Sequence, residues 1–184
     1  MKKLAAITSL TVLLLTGCGN TPSSNNTTTP PQQVEQSKPT VTKKAPSWNT
    51  DDLNPTTSGN LEMAIMTFRD KPDVESSAID VVASDVIRRP WDYYGQAVRF
   101  SGYVAVLQDY PPGHNISKAM GGETCEIVMT ADDGITIVDG MLLGDTKGLQ
   151  IGDYVTFCGY PCGVMEVPNK LGGKFSHLVV IGRR

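Results

Sequence analysis

The 184-residue sequence predicts a mainly β fold: a small closed barrel of five strands, preceded by one amphipathic helix and set behind a disordered tether. Three observations predict it. Apolar residues recur at helical spacing between Asp73 and Arg89. From Tyr94 onward the period changes to two, in five separate runs. From residue 19 to about 57 neither period is present, and Thr, Pro, Asn and Gln dominate.

The chain opens with Met1-Lys2-Lys3, an apolar run from Leu4 to Leu15, and then Thr16-Gly17-Cys18. The run is about 12 residues long, short of the roughly 20 that a helix needs to span a bilayer core. A short charged start, an apolar stretch and small residues before a cut site are the parts of an export signal. Leu15-Thr16-Gly17-Cys18 resembles the lipobox of bacterial lipoproteins. The resemblance implies that residues 1–17 are removed and that Cys18, carrying a diacylglyceryl group on its sulfur, becomes the first residue of the mature chain. Two acyl chains hold a protein at a bilayer stably, where one does so marginally. The expected location is therefore the cell membrane, lipid-anchored and facing the extracytoplasmic side. The Thr/Asn/Gln/Pro tract and Gly19 favour a Gram-positive surface.

Residues 18–57 read as the lipidated cysteine and its tether. Thr21 to Gln33 offers no apolar side chain to bury, so it cannot offset the entropy of ordering its backbone. A flexible chain of this length reaches roughly 35 Å. Trp48 is an isolated candidate for contact with the folded domain, which is placed at 58–184. Between Gly59 and Asp73, Leu61, Met63, Ile65 and Phe68 fit neither period, and a short helix or strand is expected. Ile79, Val82, Ala83, Val86 and Ile87 then mark one helical face, giving a helix over about 75–89. Asp73 or Ser76 suits its start, Arg88 and Arg89 suit its last turn, and Pro90 ends it.

The barrel is expected over about 96–182. Its first strand is Ala97–Leu107, where Gly102 suggests a bulge or bend. A loop follows over Gln108–Gly122. The second strand is Thr124–Thr130, and Ala131-Asp132-Asp133-Gly134 is its hairpin turn. The third is Ile135–Leu143, the fourth Asp153–Gly159 and the fifth Lys174–Ile181, with Pro161–Gly173 as a loop between the last two.

Tyr94 to Val104 resembles the first strand of oligonucleotide/oligosaccharide-binding (OB) folds, Ile151 to Gly159 resembles their fourth, and Asn169 to Gly173 resembles the loop before the fifth. Together these stretches resemble the "tRNA_anti-like" OB domains of bacterial lipoproteins and other exported proteins, over about residues 75–182. The chain departs from many OB folds in having only a connector between strands three and four, and the preceding helix is expected to plug that end of the barrel. OB folds bind ligands on the face around strands two and three, flanked by the loops joining strands one and two and strands four and five. On that frame the ligand-face candidates are Tyr110, His114, Asn115 and Tyr160, the tyrosines for stacking and the others for hydrogen bonds.

Chemistry beyond binding finds little support in the residues. Cys158-Gly159-Tyr160-Pro161-Cys162 is one residue too long for a redox Cys-x-x-Cys and follows a strand, where a thiolate gains nothing from a helix N-terminus. Outside the cytoplasm these cysteines are disulfide candidates. Cys158 with Cys162, Cys125 with either of them, and free buried thiols all remain open. His114 and His177 have no partner at metal-ligand spacing, and Asp132-Asp133 reads as turn chemistry. Val138-Asp139-Gly140 places a carboxylate in the third strand, but nuclease chemistry needs a carboxylate cluster with arginines. No Gly-x-Ser-x-Gly elbow is present. No cofactor, metal or catalytic residue is expected. Without Lys2 and Lys3, 14 of the 16 basic side chains remain against 19 acidic ones, net −5. That balance disfavours nucleic acid, whose binding draws on phosphate neutralisation. The expected function is a non-enzymatic binding module for an envelope protein or glycan. The alternative is a structural or accessory subunit of a cell-envelope complex for secretion or conjugation, and an envelope hydrolase is a more distant third.

Overall fold

A computed structural model describes residues 46–184. The expected signal segment, Cys18 and most of the expected tether lie outside the described residues.

The elements in order are helices α1 (Pro55–Ser58), α2 (Asn60–Asp70) and α3 (Val74–Ser77), strand β1 (Ile79–Asp80) and helix α4 (Ala83–Arg88). A 3-10 turn at Pro90–Tyr93 leads into β2 (Val98–Tyr110), α5 (Asn115–Met120), β3 (Thr124–Ala131), β4 (Ile137–Leu143), β5 (Tyr154–Pro168) and β6 (Lys174–Arg183). Five strands form a hydrogen-bonded ring in the order β2-β3-β4-β6-β5, and β5 returns to pair with β2. Every neighbouring pair in the ring is antiparallel except β4 and β6, which run parallel.

Alternation sets the inside of the ring. Val98, Phe100, Val104, Ile127, Met129, Val138, Leu142, Phe157, Leu178 and Val180 form one buried cluster. Phe100 and Phe157 meet at 6.2 Å between ring centres. Gly140 makes room for them, since a Cβ there would sit 2.7 Å from the Phe157 ring. Gly102 serves close backbone approach: a Cβ would lie 2.2 Å from the Thr130 carbonyl oxygen. The bulge falls later, between Val104 and Val106. Ala83 and Val86 of α4 join the interior cluster. No helix intervenes between β4 and β5.

A second apolar layer lies on the outer face of the ring. Ala64, Ile65 and Phe68 of α2 pack with Tyr160, Cys162, Val179 and Ile181, and Met120 of α5 joins them.

Several sequence expectations are corrected. The helix expected over 75–89 is broken into α3 and α4 by Val81, Val82 and the two-residue β1. There the Ile79 amide donates to the Ala97 carbonyl at 3.1 Å, and Ile79 pairs in parallel with Val98. β-Branched Ile79, Val81 and Val82 lower the helical preference of that stretch. The loop expected over 161–173 is largely strand. β5 passes through Pro161 at a bulge, where a missing N–H costs no ladder bond, and only Asn169–Gly173 turns the chain. The loop over 108–122 contains α5 and the end of β2.

The ordered domain also begins well before residue 58. Trp48 stacks on Tyr94 at 4.8 Å with 16° between the ring planes. Asn60, fully buried, donates its side-chain amide to the Asn49 carbonyl and accepts from the Asn49 amide, both at 2.8 Å. The Val164 amide donates to the Leu53 carbonyl at 2.8 Å. Residues 48–54 are thus docked on β5 and α2.

Of the alternatives open for the cysteines, the structure has the last: Cys125, Cys158 and Cys162 are all buried free thiols, and no disulfide pairing among them is formed. Cys158 and Cys162 lie four residues apart along one strand, about 13 Å at strand rise, while a disulfide needs Cα atoms within about 7 Å. Cys125 belongs to the interior cluster and the other two to the outer layer.

Candidate functional site

The strand register brings three ionisable side chains to the outer face of the ring. Asp139 on β4 lies opposite Val128 of β3 on one side and Val179 of β6 on the other. Glu126, two residues before Val128, and His177, two residues before Val179, share that face because strand side chains repeat every second residue. Asp139 is 2% exposed. Its Oδ2 stands 3.6 Å from His177 Nδ1, and neither Asp139 Oδ1 nor His177 Nδ1 has a hydrogen-bond partner. Burial, with the like charge of Glu126 behind it, pushes the Asp139 carboxyl up to about 7. Burial also lowers His177 below its ordinary value, against the pull of Glu126.

Glu126 is held from β2. The Tyr110 hydroxyl donates to its Oε2 at 2.5 Å, and the Tyr110 ring stacks on His114 at 4.7 Å with 27° between planes. Burial and this bond to Glu126 raise the Tyr110 hydroxyl above its ordinary value. Ser117 of α5 donates to the Tyr110 carbonyl at 3.1 Å, which ties the short helix to the strand end.

Of these groups Asp139, Tyr110 and His114 line a pocket of about 210 Å³. Pro55 and Thr56 of α1, Leu61 of α2 and Ile116 of α5 meet Met141, Met165 and Val179 of the sheet there, with Tyr110, His114 and Asp139. The pocket exists because the N-terminal helices and α5 cover the outer face incompletely. A larger cleft of about 390 Å³ at Pro72, Asp73, Val74, Glu75 and Arg183 is lined chiefly by exposed side chains.

Of the sequence-predicted ligand-face residues, Tyr110 and His114 come together at this pocket. Asn115 is exposed at the start of α5 and does not line it. Tyr160 is corrected: it is 1% exposed, packed against α2, with its hydroxyl donating to the Lys71 carbonyl at 3.2 Å. The sequence reading did not assign Asp139, Glu126 or His177 to a site. The usable signal was Asp139 itself, the one charge in Ile135–Leu143.

Asp132-Asp133 behaves as a turn. Asp133 accepts from the Ile135 and Thr136 amides and the Thr136 hydroxyl, and these bonds outweigh burial and hold its carboxyl below the usual value. Among the described residues no group of three or more His, Cys, Asp or Glu side chains is placed to hold a metal ion, and no helix is long and apolar enough to cross a membrane.

Comparison with protein-family models, with curated proteins and with solved structures finds no match to this chain.

Proposed function

We propose that the chain is an extracytoplasmic lipoprotein, anchored through lipid on Cys18, that presents a non-enzymatic OB-like module to an envelope protein or glycan. The lipobox-like Leu15-Thr16-Gly17-Cys18 supports the anchor. The ring order, with the first strand closing on the fourth and the third running parallel to the fifth, supports the OB-like reading. The observation that carries the binding role is the preformed pocket with an unpartnered buried carboxyl oxygen on its wall. Its volume of about 210 Å³ falls below the roughly 300–1,000 Å³ of drug-sized ligand pockets. A side chain or substituent of a larger partner fits that size.

One observation favours the second reading, an accessory subunit of an envelope complex. Tyr103 and Tyr154, 59% and 55% exposed, form an edge-on pair on β2 and β5, away from the pocket. Exposed aromatics are common at protein interfaces.

Photo-crosslinking residues placed at Thr56, Tyr154 and Phe175 of the full-length chain in cells separate the two. A partner captured from Thr56 and not from Phe175 supports the binding module. Capture from Tyr154 alone supports the accessory subunit and overturns the pocket's role. Incorporation of a tagged fatty acid, lost in Cys18→Ser, is the expected result for the anchor, and label retained in that variant contradicts it.

A further inference from the structure

We infer that the pocket beside Asp139 takes an aliphatic primary ammonium, its methylene stem against the apolar wall and its charged head on the Asp139 carboxylate. The inference rests on the reading of this pocket as a binding site and names the chemistry of what enters it.

Two independent features specify the group. The first is the wall. Pro55, Leu61, Ile116, Met141, Met165 and Val179 offer an unbranched stem an apolar channel with no competing donors from their side chains. The second is the carboxyl. Asp139 is 2% exposed and its Oδ1 has no partner, a state that costs free energy unless a ligand supplies a donor.

The charges around Asp139 decide which donor. Glu126 from β3 is a second carboxylate and acts on Asp139 as a like charge. Tyr110 from β2 donates its hydroxyl to Glu126. Burial disfavours the charged form of His177 from β6. Cys162 from β5 is a thiol whose deprotonation burial and Asp139 both oppose. His114 stands at the same pocket, and Pro55, Thr56 and Leu61 from α1 and α2 carry no charge. A carboxylate or phosphate would meet the Glu126 carboxylate and, once Asp139 ionises, a second like charge. A neutral hydroxyl would satisfy Oδ1 and leave the carboxylate repulsion in place. A cation does both, since an opposite charge favours the ionised form and charge-assisted hydrogen bonds are about twice as strong as neutral ones. Lysine-like stems bury their methylenes along apolar surface in this way. The head displaces the proton that Asp139 retains in the free chain, so affinity rises with pH across neutrality.

The same ammonium chemistry is available from a free amine and from a lysine side chain on a peptide. The test titrates the full-length chain in detergent with n-pentylamine, 1-pentanol and Nα-acetyl-lysine-N-methylamide, followed by NMR shifts of the Asp139, His177 and Ile116 amides. The expected result is saturable binding of pentylamine about tenfold tighter than pentanol. Saturation by the lysine derivative at comparable concentration identifies a peptide-borne group, and saturation by pentylamine alone identifies a free amine. Pentylamine affinity should rise several-fold from pH 6 to pH 8 in the unmodified chain. Asp139→Asn should abolish the preference for amine over alcohol. Equal affinities for amine and alcohol, no rise with pH, or no saturation by either amine overturns the inference. If the amines fail while Thr56 still captures a partner, the binding-module reading stands and only the ligand class falls.

Discussion

Asp139 and His177 face each other from β4 and β6 at 3.6 Å, yet no hydrogen bond joins Oδ2 to Nδ1. The distance alone would allow an ion pair. Burial works against both charges, pushing Asp139 up to about 7 and His177 down, so at neutral pH the pair is not a stable couple of opposite ions. The two groups make no hydrogen bond to each other, and Asp139 is also part of the pocket wall.

Stability should therefore depend on pH through this pair. Unfolded, Asp139 titrates near 3.8, and folded near 7. Between those values the unfolded chain gives up a proton that the folded chain retains. The Asp139 contribution is full below about pH 4 and is lost as pH rises toward 7. At about 1.4 kcal/mol per pH unit the loss has a ceiling of roughly 4 kcal/mol. His177 has the opposite sign: its lowered folded value means stability is lost as pH falls below about 6.5. Urea midpoints should fall as pH rises from 4 to 7 in the natural chain and should not fall in Asp139→Asn, which retains only the opposite His177 slope.

Asn60→Ala should undock the segment ahead of α1. The change removes both 2.8 Å bonds to the Asn49 backbone and leaves its N–H and C=O unpaired, at roughly 1–3 kcal/mol. Limited proteolysis should then cut within 46–58 faster, while amide exchange in β3 and β4 stays slow.

Gly163→Ala should act on the same segment from the other side. Gly163 has φ +142°, and a Cβ there would meet the Leu53 carbonyl oxygen at 2.1 Å. Either β5 or residues 53–55 must move, at roughly 1–3 kcal/mol. The expected readout is a lower denaturation midpoint together with loss of protection at the Val164 amide, which bonds to Leu53.

The thiols should be unreactive in the folded chain and reactive on unfolding. Burial pushes Cys125 up to about 11 and raises Cys158 and Cys162 as well. Thiol titration should find Cys125, Cys158 and Cys162 masked in buffer and free in denaturant. The thermal midpoint should be the same with and without reductant, whereas a disulfide would shift it by the equivalent of about 2–4 kcal/mol.

The strands of the ring were legible because each buries one face inside it, and period-two alternation records that directly. The outer layer was not legible for the same reason. β4 is covered on both faces, so Val138, Asp139 and Gly140 are all buried and alternation disappears. α2 is ambiguous in the sequence because Met63, only half-buried, interrupts the helical pattern and Ala64 marks it only weakly. Leu61, Ala64, Ile65 and Phe68 follow the helical period, and an alanine contributes little to a hydrophobic pattern. Pro161 and Gly163 read as loop residues, while in the structure they mark the bulge of one long strand. Of the site, Tyr110 and His114 were reachable from the position of their loop. Asp139, Glu126 and His177 meet only through the register of three strands, which no local pattern encodes.

The most direct measurement is a ¹³C titration of the Asp139 side-chain carboxyl in the full-length chain, alone and with saturating n-pentylamine. The account predicts a midpoint near 7 in the free chain and a clear fall once the amine is bound. A midpoint near 3.8, the ordinary value, in the free chain would contradict it, because the carboxyl would then be solvated or already paired.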